Sequence, residues 1–252
     1  MNKSISKQQA YYIVKDNALI QRTRYSLSLQ QQKLLLFMIS KIKPNDAPFT
    51  DYTISIRDYC RVCSMDYDSG GNYAYIKQSL KTIADKSMWM RTNTGKHILL
   101  RWLDRVIIDE NSGNIVFSFH RDMFPYLLNL QECYTQYSLL NVIAMRSTYS
   151  IRLYELMRSY MNMDSVIIMS IDDLRERIGC EKYPRFSNFK QRVLDPAIDE
   201  INDDTDIEVE YQLEKVNSRS YNRIKFYITN KLEKQYTEYL IEKIKKERKG
   251  IT

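Results

Sequence analysis

Between Tyr149 and Ile228 the spacing of apolar positions changes period several times, and the order of those periods predicts a helix, a strand, two further helices and a two-stranded hairpin. Ile151, Leu153, Tyr154 and Met157 recur at helical spacing, and Val166-Ile-Ile-Met169 follows as an apolar run of strand length. Ser170 stands three positions before Asp173, a capping-box-like start for a helix over Ile171 to Ile178, and Gly179 is placed to end it. After Cys180-Glu-Lys-Tyr-Pro-Arg185, residues Phe186, Phe189, Val193, Ala197 and Ile201 give a last helix one apolar face. Ile207 to Leu213 and Ile224 to Ile228 then alternate as strands do. This succession is that of a winged helix-turn-helix.

The polar face of that last helix carries Asn188, Gln191 and Arg192, with Arg185 and Ser187 at its N-terminal end. Such side chains hydrogen-bond to base edges and phosphates. Lys190 lies nearer the apolar stripe, from which its ammonium reaches a phosphate at most. Pro196 removes a backbone donor and crowds the preceding turn, so a kink is expected there, with the reading part ending about Leu194. Asn202-Asp-Asp204 reads as a turn. The polar tip from Glu214 to Arg223 holds Lys215, Arg219 and Arg223, and is either a wing on the DNA backbone or a solvated hairpin loop. Glu233 to Lys249 reads as a charged helix whose basic run faces solvent or phosphate.

The first half of the chain repeats the order of elements. Ser28 starts a helix over Gln30 to Lys43; Tyr52, Ile54 and Ile56 alternate as a strand, and Arg57 to Cys63 form a short helix. After a turn at Asp68-Ser-Gly-Gly-Asn72, a helix over Tyr73 to Ala84 buries Tyr73, Ile76, Leu80 and Ile83 and presents Tyr75, Lys77, Gln78, Lys81 and Thr82. Met88 to Arg91, His97 to Ile108 and Ile115 to Phe119 read as strands. The fold class expected is therefore α+β, with two winged-helix domains in tandem. A flexible arm over 1–16 is expected to precede a first domain over 17–135, whose apolar, strand-rich character makes it the expected dimer contact beside a share of DNA contact, and a main DNA-binding domain over 136–252. Apolar residues from Phe124 to Leu140 should pack the two together.

Composition narrows the function. The net charge of +7 over 252 residues makes a polyanionic partner plausible. No apolar run approaches the roughly 18 residues of a membrane span, and the stretch after Met1 lacks an apolar signal segment, so a cytoplasmic protein without membrane contact is expected. Cys60 and Cys63 have metal-ligand spacing but no second pair to complete a tetrahedral site, so neither metal nor other cofactor is expected. His97 and His120 are far apart, whereas a nicking tyrosine needs a paired His-x-His around its metal; the 20 tyrosines read as core and interface aromatics. Gly95-Lys96 lacks the remainder of a phosphate loop. Asp172/Asp173 and Asp203/Asp204/Asp206 fall at a helix start and a turn, where carboxylates cap and solvate. The expectation is a DNA-binding protein, not an enzyme.

Four segments carry a further signal: Tyr25-Ser-Leu-Ser-Leu-Gln-Gln-Gln-Lys33, Phe117-Ser-Phe-His-Arg-Asp-Met-Phe-Pro-Tyr-Leu-Leu128, Tyr149-Ser-Ile-Arg-Leu-Tyr-Glu-Leu156 and Val193-Leu-Asp-Pro-Ala-Ile-Asp-Glu-Ile-Asn202. In this order they closely resemble the initiator Rep proteins of iteron-controlled, theta-replicating bacterial plasmids, over roughly residues 15–230. The resemblance implies a monomer that binds directly repeated origin DNA, a dimer that represses its own gene, and recruitment of host initiator and replicative helicase. By position it places the main recognition helix on Arg185 to Leu194 and the first domain's on Tyr73 to Ala84. A winged-helix repressor without initiator activity needs the same helices and is the competing expectation.

Overall fold

The structure is a computed structural model, described here for residues 11–67, 70–161, 163–217, 220–233 and 235. The chain opens with β1 (Tyr12–Asp16), α1 (Asn17–Arg22) and β2 (Thr23–Arg24). A first winged helix follows: α2 (Leu29–Ile39), β3 (Tyr52–Ser55), α3 (Ile56–Val62), α4 (Gly70–Asp85), β4 (Ser87–Arg91), β5 (His97–Arg101), β6 (Leu103–Asp109) and β7 (Asn114–Phe119). A connecting segment contains α5 (Phe124–Leu127), β8 (Tyr134–Ser138) and α6 (Leu139–Ile143). The second winged helix comprises α7 (Thr148–Met161), β9 (Val166–Ser170), α8 (Ile171–Ile178), α9 (Phe186–Phe189), a π-helical turn (Lys190–Leu194), α10 (Asp195–Asp204), β10 (Ile207–Glu214) and β11 (Arg223–Asn230).

The two units share one sheet topology. Strand order is β3-β7-β6 in the first and β9-β11-β10 in the second, so each first strand lies beside the last strand of its own wing. Local chemistry sets the helix ends. At α2 the Gln31 N–H donates to the Ser28 hydroxyl and the Ser28 N–H to the Gln31 side chain, a capping box. Ser170 accepts from the Asp173 N–H at 3.0 Å to start α8, which ends at Gly179 with φ 71°, a left-handed position glycine occupies without a Cβ clash.

Several sequence expectations change. Residues 12–16 are not an arm: they form β1, antiparallel to β8, because Ile13 and Lys15 are buried; residues 1–10 lie outside the described residues. The strand expected over His97 to Ile108 is two strands in different sheets. Trp102 is buried at the break, edge-on to Tyr25 at 5.3 Å, and β5 extends a separate β2-β4-β5 sheet while β6 joins the wing. Helix α2 stops at Ile39, short of Lys43, and Gly70 to Asn72 are the first turn of α4, where the Asn72 amide bonds the Asp66 carbonyl at 2.6 Å. Asn202 to Asp204 are helical as well: the Asn202 side chain exchanges two hydrogen bonds with the Val209 backbone, so α10 runs on to its close at Thr205. Of the expected C-terminal helix, Lys234 and residues 236–252 lie outside the described residues.

One apolar cluster runs through both units, with α7 at its centre. This helix packs against α1 and β8 on one side and against α8, α10 and β11 on the other, and every residue from Ser150 to Met157 is buried. Two of those residues are charged. Glu155 accepts from Lys15 of β1 and from the Tyr137 hydroxyl of β8, both themselves buried. The Arg152 guanidinium donates to the carbonyls of Ile20, Thr23 and Arg177 and to the Tyr25 hydroxyl. These buried charges, Glu155 bonded through one oxygen and facing Arg152 with the other at 3.9 Å, tie the N-terminal segments to the second winged helix.

Candidate nucleic-acid interface

In the second unit, α8 and α9 are the two helices of a helix-turn-helix. Phe189, Val193, Ala197 and Ile201 are buried, as their spacing requires, and this leaves Arg185, Ser187, Asn188, Gln191 and Arg192 exposed on the opposite face. Arg185 is the N-cap residue of α9 and makes no side-chain cap, so its guanidinium stays free of that role. The first turn of α9 is anchored by aromatic contacts: Phe186 lies 6.4 Å from Phe189 and 6.4 Å from Tyr221 at the tip of the β10–β11 hairpin. Lys215 sits over the other end of that contact, its ammonium 4.9 Å from the Tyr221 ring. The hairpin tip and the N-terminal end of the helix are therefore neighbours. Arg223 is exposed at the start of β11, and Arg219 lies outside the described residues.

Lys190 is placed differently from its sequence reading. Its ammonium is held by Asp195 at 2.7 Å and lies 5.7 Å from the centre of the Tyr211 ring, where Asp195 and then Tyr211 keep it above the usual lysine range. It braces the helix internally through Asp195. Within the same group the Tyr211 hydroxyl donates to Asp195, and burial, reinforced by Asp195, raises the phenol's pKa.

In the first unit, Tyr75, Lys77, Gln78 and Lys81 share the exposed face of α4. Lys77 pairs with Glu110 at the tip of the β6–β7 wing at 2.8 Å, Lys81 with Asp85 at 2.6 Å, and the Tyr75 hydroxyl is 3.4 Å from that of Ser28. Ala74, Lys77, Gln78 and Lys81 line a groove of about 430 Å³ against Val106 and Ile108 of β6. Acidic neighbours thus offset the lysines of this helix, whereas Arg185 at the N-cap of α9 and Arg192 in the π turn have no acidic partner among the described residues. The two helices are not equivalent as polyanion surfaces.

Asp172 and Asp173 have the structural roles their position indicated: both are in the first turn of α8, paired with Arg175 and Arg177. Among the described residues no group of three or more His, Cys, Asp or Glu could hold a metal ion, and no helix is long and apolar enough to cross a membrane.

Comparison with known families matches residues 12–158 to the initiator replication protein WH1 family and residues 170–228 to the initiator Rep protein WH2 family. The chain belongs to the initiator Rep proteins. The PI protein of Escherichia coli is 28% identical over 151 residues, covering 53% of this chain and 50% of that protein, so the match spans about half the length of this relative. The crystal structure of Pi initiator protein in complex with iteron DNA superimposes with a TM-score of 0.72 over 88% of this chain and 98% of that one, at 20% identity, a likeness of fold. Two tandem winged-helix domains are therefore the architecture of this Rep protein.

Some exposed groups of the Rep protein escape a reading by helix periodicity. Tyr221 joins the wing to α9, and its only sequence signal is an aromatic inside an otherwise polar tip. Arg91, Lys96 and Arg101 are exposed on the β4–β5 hairpin, signalled by the Asn93-Thr-Gly95 turn that cations flank.

Proposed function

We propose that this chain is a plasmid replication initiator that binds directly repeated origin sequences, or iterons, with the exposed face of α9 reading bases and the β10–β11 tip resting on the backbone. The observation that carries this reading is the exposed polar face Arg185, Ser187, Asn188, Gln191 and Arg192, without side-chain partners among the described residues and set beside the wing tip by the Phe186–Tyr221 contact, in a chain of the initiator Rep family. A recognition helix enters the major groove by its N-terminal residues, the end at which these side chains gather. The α4 residues Tyr75, Lys77, Gln78 and Lys81 add a weaker contact. On this reading the protein helps open the origin, recruits a host initiator and the replicative helicase, and acts in the cytoplasm without catalysis of its own.

Monomer and dimer interconvert, the monomer binding single repeats and the dimer repressing the protein's own gene. The dimer contact lies in the first domain. There β5 is the edge of the β2-β4-β5 sheet, and Trp89 (55% exposed) stands directly opposite Leu99 (46% exposed) on its outer face. An exposed apolar edge of this kind is suited to pairing with a second copy. A repressor without initiator activity is the competing reading, and footprinting on the cognate plasmid separates them. Protection of tandem direct repeats supports initiation; protection of one inverted repeat alone supports repression.

A further inference from the structure

The helix that carries the base-reading face contains a π turn where Pro196 should have produced a simple kink. Proline has no N–H for the Arg192 carbonyl, and its ring crowds that carbonyl. The chain responds one residue earlier: the Asp195 N–H donates to Lys190 O, a step of five. A π turn adds about one residue to the helix, which rotates everything after it by roughly 100° relative to a regular helix.

That rotation has a chemical consequence. In an uninterrupted α-helix Asn188, Arg192, Asp195 and Asp199 would stand nearly one above another, because steps of four, seven and eleven residues all return close to a whole turn. Two carboxylates would then share the face that meets a polyanion. Here Asp195 is turned aside, its carboxylate accepting from Lys190 at 2.7 Å and from the Tyr211 hydroxyl of β10. Lys190 and Asp195 are the two ends of the π turn, so this clasp spans it and fixes it to the wing strand.

We propose that Asp195, held by Tyr211 and Lys190, is a positioning residue for sequence reading: the clasp maintains the π turn and so sets the azimuth of Gln191 and Arg192 relative to Ser187 and Asn188. It determines which base pairs are preferred and contributes little to general affinity. This inference rests on the reading of α9 as the recognition helix.

The test is binding-site selection by the full chain from a randomised duplex library, with Asp195→Asn, Tyr211→Phe and, as control, Asp199→Asn, an exposed carboxylate one turn further on. Asp195→Asn and Tyr211→Phe are expected to weaken preference at the same base pairs by about tenfold, within the range one bidentate contact provides. The double variant should lose no more than either single one. Asp199→Asn should leave the preference profile unchanged while raising affinity for all sequences slightly. Tyr211→Phe changes no charge and removes one hydroxyl, so it decides the matter should Asp195→Asn fail to fold. Wild-type preferences in Tyr211→Phe overturn the proposal. A wild-type protein that selects no sequence overturns the reading of α9 itself, a distinct outcome seen before any variant is compared.

Discussion

Glu155 is the residue whose loss should damage the fold most for the fewest atoms changed. Its carboxylate is fully buried and accepts from Lys15 and Tyr137, and its second oxygen lies 3.9 Å from Arg152. Replacing it with leucine leaves Lys15 without an acceptor among the described residues, whereas Arg152 keeps three carbonyls and the Tyr25 hydroxyl. Removing one member of a buried ion pair costs about 3–5 kcal/mol, because the other charge stays behind unpaired. The orphaned Tyr137 hydroxyl accounts for roughly 1–3 kcal/mol of comparable desolvation. Replacing both charges, Lys15→Met with Glu155→Leu, removes the unpaired ammonium, so the double variant should be more stable than Glu155→Leu alone and fall about 1–3 kcal/mol below wild type, the share left to Tyr137. Urea denaturation followed by far-UV circular dichroism reads these differences as midpoint shifts at constant slope. Since α7 belongs to a core that both units share, a single transition is expected. A Glu155→Leu protein within about 0.5 kcal/mol of wild type, the scatter of ordinary surface substitutions, would refute the argument. So would a double variant whose loss equals the sum of the two single ones.

Other consequences follow from the same geometry. Neutralising Lys215 and Arg223 should weaken binding to all duplexes alike and flatten the plot of log affinity against log salt by about 0.9 per lost phosphate contact; an unchanged slope argues for a solvated hairpin. Gly179→Ala should destabilise by about 1–2 kcal/mol in thermal or urea unfolding, because φ 71° is left-handed while the added Cβ meets only the Tyr25 carbonyl at an ordinary 3.9 Å. A stability equal to wild type would show that the α8 terminus relaxes. Trp89→Glu should shift the sedimentation distribution towards monomer and leave binding to a single repeat intact; a dimer persisting unchanged would move the contact off the β2-β4-β5 sheet.

What the sequence made legible is what local interactions decide. Ser28 with Gln31, Ser170 before Asp173, and Gly179 each act within a few residues, and the apolar stripe through Phe189, Val193 and Ala197 defines its own opposite face. The less legible features depend on partners remote in sequence. Lys15 looks like part of a polar arm until Glu155, 140 positions on, buries it, and β1 has no visible partner until β8 is beside it. Trp102 divides an apparently continuous strand because Tyr25 awaits it in the core. Pro196 announced a disturbance, but the form it takes is set by Tyr211 and Lys190 around Asp195. In the candidate interface, the exposed face of α9 could be read in advance, whereas the diversion of Lys190 and the pairing of Lys77 with the first wing could not.

The central claim is that α9 and the π turn that continues it read DNA bases. Binding-site selection with wild type, Asn188→Ala and Arg192→Ala tests it most directly. Each variant should lose discrimination at a definable base pair by about 1–3 kcal/mol, the worth of a bidentate base contact, while non-specific affinity changes little. If both variants return the wild-type base preferences, the helix is not the reader and the account is wrong.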